Sequence, residues 1–419
     1  GRKYLTFEDG TLSYFPERVP KTIAFDIDEN DPADQYAQLY APDVVNEINN
    51  LELPRYGLGN YAAPTPHRPP AQAESSLLQA LSRAGKRLMG FCRVNLFKRL
   101  ESSGYSFQLS IERHILRNHV FLHAIAKGLP LPIGAQEAQL LDASFRDDDI
   151  EDVFLFDEEN GNGEIRSPLP QRRLRTEAEF RKRAAEIYEL YSTQFETRFK
   201  WLRPDLFVDS LGEDLERDAS RLLDILGRCG EWKADGDAKL NALHRLVAQH
   251  YPNDKILIFS QFADTVQYLE NQLAARGVGR LAGVTGGADD PTGYAWHFSP
   301  ESNRKRDMIP PEEEIRILLA TDVLSEGQNL QDAHIIVNYD LPWAIIRLIQ
   351  RAGRVDRIGQ KSEQVLCYSF LPADGVENLL RLRARVRSRL HENAEVVGTD
   401  EAFFEDESER QDLLDLYNE

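Results

Sequence analysis

Between Lys239 and Phe370 the chain alternates short apolar runs with amphipathic helical stretches, and this alternation limits its fold more than any other feature. Lys255-Ile-Leu-Ile-Phe-Ser has no polar interruption, as expected of a strand covered on both faces. Such strands belong to parallel sheets whose crossover helices pack on both sides. The pattern predicts helices over residues 239–250, 263–276 and 342–352. It predicts strands over 255–260, 281–285, 315–321, 334–339 and 364–370, the last closing the sheet. The expected fold class is α/β, a parallel sheet flanked by helices, preceded by a mostly helical accessory region.

The rest of the chain divides by composition. Residues 1–70 read as an opening segment, with strand-like alternation in Lys21-Thr-Ile-Ala-Phe-Asp-Ile. Leu77, Leu78, Leu81, Leu88, Phe91 and Val94 recur at mostly three- and four-residue steps, which predicts a helical insertion over 71–128. Residues 129–175 are acidic and loop-like, and 176–235 form a helical connector. The sheet-bearing lobe is expected over 236–372, with a final helix and acidic tail over 373–419.

At 419 residues the chain has room for two or three compact units. Cys92, Cys229 and Cys367 are too scattered for a zinc site or a disulfide framework. No apolar run approaches the roughly 20 residues that span a bilayer, so no membrane partner and a cytoplasmic, nucleoid-associated location are expected. The net charge of −19 argues against phosphate binding by the chain as a whole. Its distribution is uneven. The acid gathers at 147–152, 157–159 and 401–409, whereas 315–361 holds six basic residues against five acidic ones.

The sharpest motif is Gln350-Arg-Ala-Gly-Arg-Val-Asp-Arg-Ile-Gly-Gln360. Arg351, Arg354 and Arg357 recur every third residue, which predicts guanidinium groups along one side of a helical turn. A planar cation that never loses its proton suits a transferring phosphoryl group. Upstream, Ala320-Thr-Asp-Val-Leu-Ser-Glu-Gly-Gln-Asn-Leu330 follows a buried strand, so its loop lies at the carboxyl edge where open α/β sheets bind ligands. Ser260, Gln261 and Phe262 end another strand, and Thr285-Gly286 a third.

The arginine motif resembles motif VI of superfamily 2 helicases, and its Asp-Arg-Ile-Gly-Gln ending resembles the Swi/Snf-type branch. The segments at 320–330 and 255–262 resemble motifs V and IV. The resemblance implies a RecA-like second motor lobe, with Arg354 and Arg357 as arginine fingers to the γ-phosphate of ATP. It implies that Gly327, Asn329 and Gln350 lie near the nucleotide. Gln261, Thr285, Gly286, Thr321, Ser325 and Glu326 would face nucleic acid, most naturally double-stranded DNA, with Asp322 coupling the two sites. Asn338-Tyr-Asp-Leu-Pro-Trp343 resembles an element of the same branch, but Ala344-Ile345 stands where that branch has Asn-Pro. Asn303-Arg-Lys-Arg306 is a further candidate for nucleic-acid contact. Leu96-Phe-Lys-Arg-Leu-Glu-Ser-Ser103 resembles a helical segment within an insertion of bacterial members, which could take a protein partner.

A motor of this kind also needs a phosphate loop. Gly85-Lys86 follows no glycine-rich loop, and Val153-Phe-Leu-Phe-Asp-Glu-Glu159 only imitates a magnesium-binding strand. ATP and Mg2+ are therefore expected to be held mainly by a first lobe that precedes this sequence or joins in trans. No metal site is expected here. The alternatives are a non-catalytic interaction module built on a relic lobe, or the second lobe of an ATP-dependent RNA helicase.

Overall fold

A computed structural model describes residues 4–6, 12–14, 16–28, 30–134, 173–286, 288, 290–324, 328–342, 345–357 and 359–371. The chain falls into two compact units, Gly1–Asp28 with Lys233–Glu419, and Glu29–Trp232. The expected acidic strand mimic at 153–159 and the final helix over 373–419 lie outside the described residues.

The first unit is built on a six-stranded sheet in which every pairing is parallel. Its strands are β1 (Glu17–Ile23), β2 (Ile256–Phe259), β3 (Leu281–Val284), β4 (Ile317–Ala320), β5 (Ile335–Asn338) and β6 (Gln364–Phe370). Their order is β1-β6-β5-β2-β4-β3. Helices α1 (Ala238–Arg245), α2 (Ala263–Ala275), α3 (Pro291–Phe298) and α4 (Ile345–Ala352) lie between strands in sequence. All residues of β2, β4 and β5 are buried, which explains why these runs are apolar without alternation. This is the RecA-like α/β architecture expected.

Three local readings change. The helix expected over 239–250 is α1 followed by a π-helical turn, Leu246–His250. The long loop containing Asn303 includes α3. Strand β6 does not close the sheet, because β1 pairs along its outer side from Gln364↔Glu17 to Phe370↔Ile23. Pro20 fits this edge position, since an outward-facing backbone there needs no donor. Beyond β1, Phe25 lies against Phe370 with ring centroids 6.4 Å apart. The buried Lys239 ammonium sits 4.3 Å from the Tyr339 ring and 5.5 Å from that of Phe370. Residues 17–28 thus belong to the lobe rather than to a separate opening segment.

The second unit is mostly helical. Gly104–Lys127 is its central helix, packed against Gln72–Ser102, Glu177–Thr193 and Ser210–Cys229. What reads as one helical stretch breaks at Ser103. Gly104 lets the Trp232 indole approach closely, since a Cβ there would meet the ring at 2.3 Å. Gly85-Lys86 falls within the Gln72–Ser102 helix, where no phosphate loop can form. Among the described residues, no helix is long and apolar enough to cross a membrane, and no group of His, Cys, Asp or Glu could hold a metal.

Asp237 shows how the lobe fixes its first helix. Its carboxylate caps α1 by accepting from Leu240 N at 2.8 Å and also accepts from Tyr268 Oη at 2.9 Å. The side chain is fully buried. Asp237→Ala should lower the stability of the lobe by about 2 kcal/mol, because a helix cap and the partner of a buried hydroxyl are lost together. Urea unfolding of the chain measures this, and Asp237→Asn should recover part of the loss.

Candidate functional site

Parallel pairing brings the carboxyl ends of β2, β3, β4 and β5 to one edge, where backbone hydrogen bonds continue past the strands. Ser260 N donates to Ala320 O at 3.1 Å, Thr321 N to Val284 O at 3.0 Å, and Tyr339 N to Phe259 O at 2.8 Å. Asp340, fully buried, accepts from Ser260 Oγ at 2.5 Å and from Gln261 N at 2.8 Å. The Gln261 side chain turns to the same segment and donates to Leu341 O at 2.9 Å. Its amide is therefore engaged within the lobe.

The three arginines do not share one side. Arg351 is still helical and points inward, with no exposed surface. Its guanidinium donates from Nε to Asp322 Oδ1 at 2.7 Å and from Nη1 to Asn338 Oδ1 at 3.1 Å, and it lies 5.1 Å from the Phe259 ring centroid. Helix α4 ends at Ala352, and Gly353 starts a turn, so the three-residue spacing stops describing one helical face. Arg354 and Arg357 stand beyond that end, both half-buried.

Arg357 donates from Nε to Gly353 O at 3.0 Å and from Nη1 to Asn329 Oδ1. The structure therefore brings together a residue of each motif. Leu330 N donates to Arg354 O at 3.1 Å, and Arg354 Nε to Gln350 O at 3.3 Å. Gln360 clamps the far end of the loop, donating to Gln331 O at 3.0 Å and Ala333 O at 2.8 Å. Gly327, Ser325 and Glu326, like Trp343 and Ala344, lie outside the described residues.

The remaining candidates are spread along the edge. Thr285 is half-buried and Gly286 exposed. Thr321 is 2% exposed, and its buried hydroxyl has no hydrogen-bond partner. In the basic cluster, Asn303 donates to Asn329 O at 2.7 Å, the Lys305 ammonium lies 4.1 Å from the Trp296 ring centroid, and Arg306 pairs with Glu314. Arg304 is exposed, at a φ of 55°. Most of that cluster holds its own loop together.

Residues 238–359 match the helicase conserved C-terminal domain family. Over these residues the chain is similar to the C-terminal domain of helicases. An uncharacterized ATP-dependent helicase of Bacillus subtilis (strain 168), YqhH, is 32% identical over 150 residues, which are 35% of this chain and 24% of that protein. The ATP-dependent RNA helicase eIF4A of Coccidioides immitis (strain RS) is 30% identical over 165 residues, 39% of this chain and 35% of that protein. The match thus spans about a third or less of these relatives. Among solved structures, the C-terminal part of the Fun30 ATPase domain shares 17% identity over 47% of this chain and 56% of that one, at a TM-score of 0.31.

Asp322, which the motif resemblance assigns to coupling the two sites, is paired within the lobe with Arg347 and Arg351. Burial by itself would raise its pKa, but the charge and hydrogen bonds of Arg351, with those of Arg347 at 2.7 Å, hold it below the ordinary carboxylate range. A depressed folded-state pKa stabilises the lobe fully above the unfolded-state value, and the effect fades as pH falls through the lowered one. The stability gap between the protein and its Asp322→Asn variant should therefore be full near neutrality and shrink below about pH 4. Arg351→Ala should cost about 3 kcal/mol at neutral pH, since it empties a fully buried site and leaves the part-buried Asp322 carboxylate with Arg347 alone. Thermal melts across pH test both. A gap that does not change with pH would remove the Asp322 charge from the account.

Proposed function

We propose that the helicase lobe supplies Arg354 and Arg357 as arginine fingers to an ATP gripped by a first lobe, and that closure of the two lobes drives movement along duplex DNA. The position and partners of Arg357 carry this reading. It stands half-buried past the end of α4, and both of its hydrogen-bond acceptors, Gly353 O and Asn329 Oδ1, are neutral. Arg347 and Arg351, by contrast, are both paired with Asp322. A guanidinium held by neutral oxygens keeps its charge available to a phosphoryl group arriving from across a cleft. A relic interaction module has no use for such a group.

In this reading Gly327, Asn329 and Gln350 lie beside the nucleotide, and Mg2+ and the phosphates are held mainly by the first lobe. Thr285, Gly286, Thr321, Ser325, Glu326 and Gln261 line the path of the nucleic-acid backbone. Main-chain amides and hydroxyls at strand ends suit phosphate contacts, which position a duplex without reading its sequence. The Asp-Arg-Ile-Gly-Gln ending favours DNA. The second reading is RNA, favoured by the relatives whose names are ATP-dependent RNA helicases.

Phosphate release by the protein carrying both lobes, measured with duplex DNA, single-stranded DNA and single-stranded RNA of equal length, separates these readings. Duplex DNA should stimulate most, and stimulation by RNA alone would sink the DNA assignment. Arg357→Ala should lower turnover by about 1,000-fold or more while leaving nucleic-acid affinity within about threefold. The chain alone should release no phosphate above an Arg354→Ala/Arg357→Ala control.

A further inference from the structure

We propose that Arg18, on edge strand β1, is a positioning residue for the Arg357 finger, acting through Asp356. The proposal rests on the finger reading above. Arg18 Nε donates to Asp356 Oδ2 at 2.6 Å across 338 positions of sequence, with the two side chains 18% and 9% exposed. Neither end of the pair is loosely held. The Arg18 backbone is registered against the fully buried Val365, and Glu17 N donates to Glu363 O at 2.9 Å. Asp356 N donates to Ala352 O at 2.9 Å, fixing the turn after α4.

Asp356 immediately precedes the finger. On its other side the finger loop is tied to residues 329–333, through Leu330 N to Arg354 O, Arg357 to Asn329, and Gln360 to Ala333 O. Arg18 supplies the opposing tie. With both in place the backbone at 356–357 is held between the sheet edge and the loop after β4. Without Arg18, the largely buried Asp356 carboxylate loses a charged partner, and the way for it to regain water is a turn of the loop that carries Arg357 with it. A finger displaced by about 1 Å loses transition-state contact while ground-state ATP binding, mainly a matter for the other lobe, is little changed. Arg18 lies outside residues 238–359, so the geometry of this finger depends on a strand that the matched domain does not include.

The test is nucleic-acid-stimulated ATP hydrolysis by the protein carrying both lobes. Arg18→Gln and Asp356→Asn should each lower kcat about tenfold with KM for ATP within about twofold, and the double variant should lose no more than either single one. The exchanged pair Arg18→Asp/Asp356→Arg should recover a substantial part of the loss, roughly threefold over the singles. Wild-type kcat in Arg18→Gln, or losses that multiply in the double variant, would overturn the proposal. If a single variant fails to fold, the exchanged pair decides, since recovered folding without recovered kcat also overturns it. Arg357→Ala separates the two claims. Turnover kept in that variant removes the finger reading and this proposal together, whereas turnover lost there but intact in Arg18→Gln removes this proposal alone.

Discussion

The lobe depends on one buried guanidinium. Arg351 reaches back from helix α4 into the edge of the sheet, where it joins Asp322 after β4, Asn338 at the end of β5, and the face of Phe259 at the end of β2. Three parallel strands and the helix that follows them are thereby fixed to one another by a single side chain. A charge so placed is tolerated because Asp322 answers it and Asn338 accepts from its Nη1, although its buried Nη2 has no partner. Helix α4 ends one residue later, at Ala352, where the loop that carries Arg354 and Arg357 begins.

That loop is shaped from outside its own sequence. Its hydrogen bonds run to residues 329–333 on one side and to Arg18 on the other. The arrangement divides a run of similar arginines by partner. Arg351 is spent on structure, while Arg357 keeps neutral acceptors and a half-exposed position. Charge that is compensated holds the scaffold, and charge that is left uncompensated is the kind that can act on a phosphate.

Much of the scaffold could be read in advance. The strands at 256–259, 317–320 and 335–338 fall inside the predicted runs, because burial on both faces favours apolar sequence without alternation, and the strand at 364–370, with its alternating burial, coincides with its predicted run. The helix after β2 was equally legible from its periodicity. The partner of β1 was not, since seven residues of modest alternation give no sign of which of several strands they will join. Nor was the fate of Arg351, whose spacing from Arg354 and Arg357 is regular while its surroundings are not.

By itself, then, the sequence determined the class of fold and the order of its strands and helices along the chain, and it marked the two motif segments that the fold brings together. Those properties follow from local pattern, which polypeptide geometry converts directly into helix, strand or turn. Tertiary structure alone decided that the opening residues complete the sheet, that Asn329 meets Arg357, and that Asp322 belongs to Arg351. Each of these is a contact between residues about 30 to more than 300 positions apart, made by strand order and side-chain direction, and no local pattern encodes either.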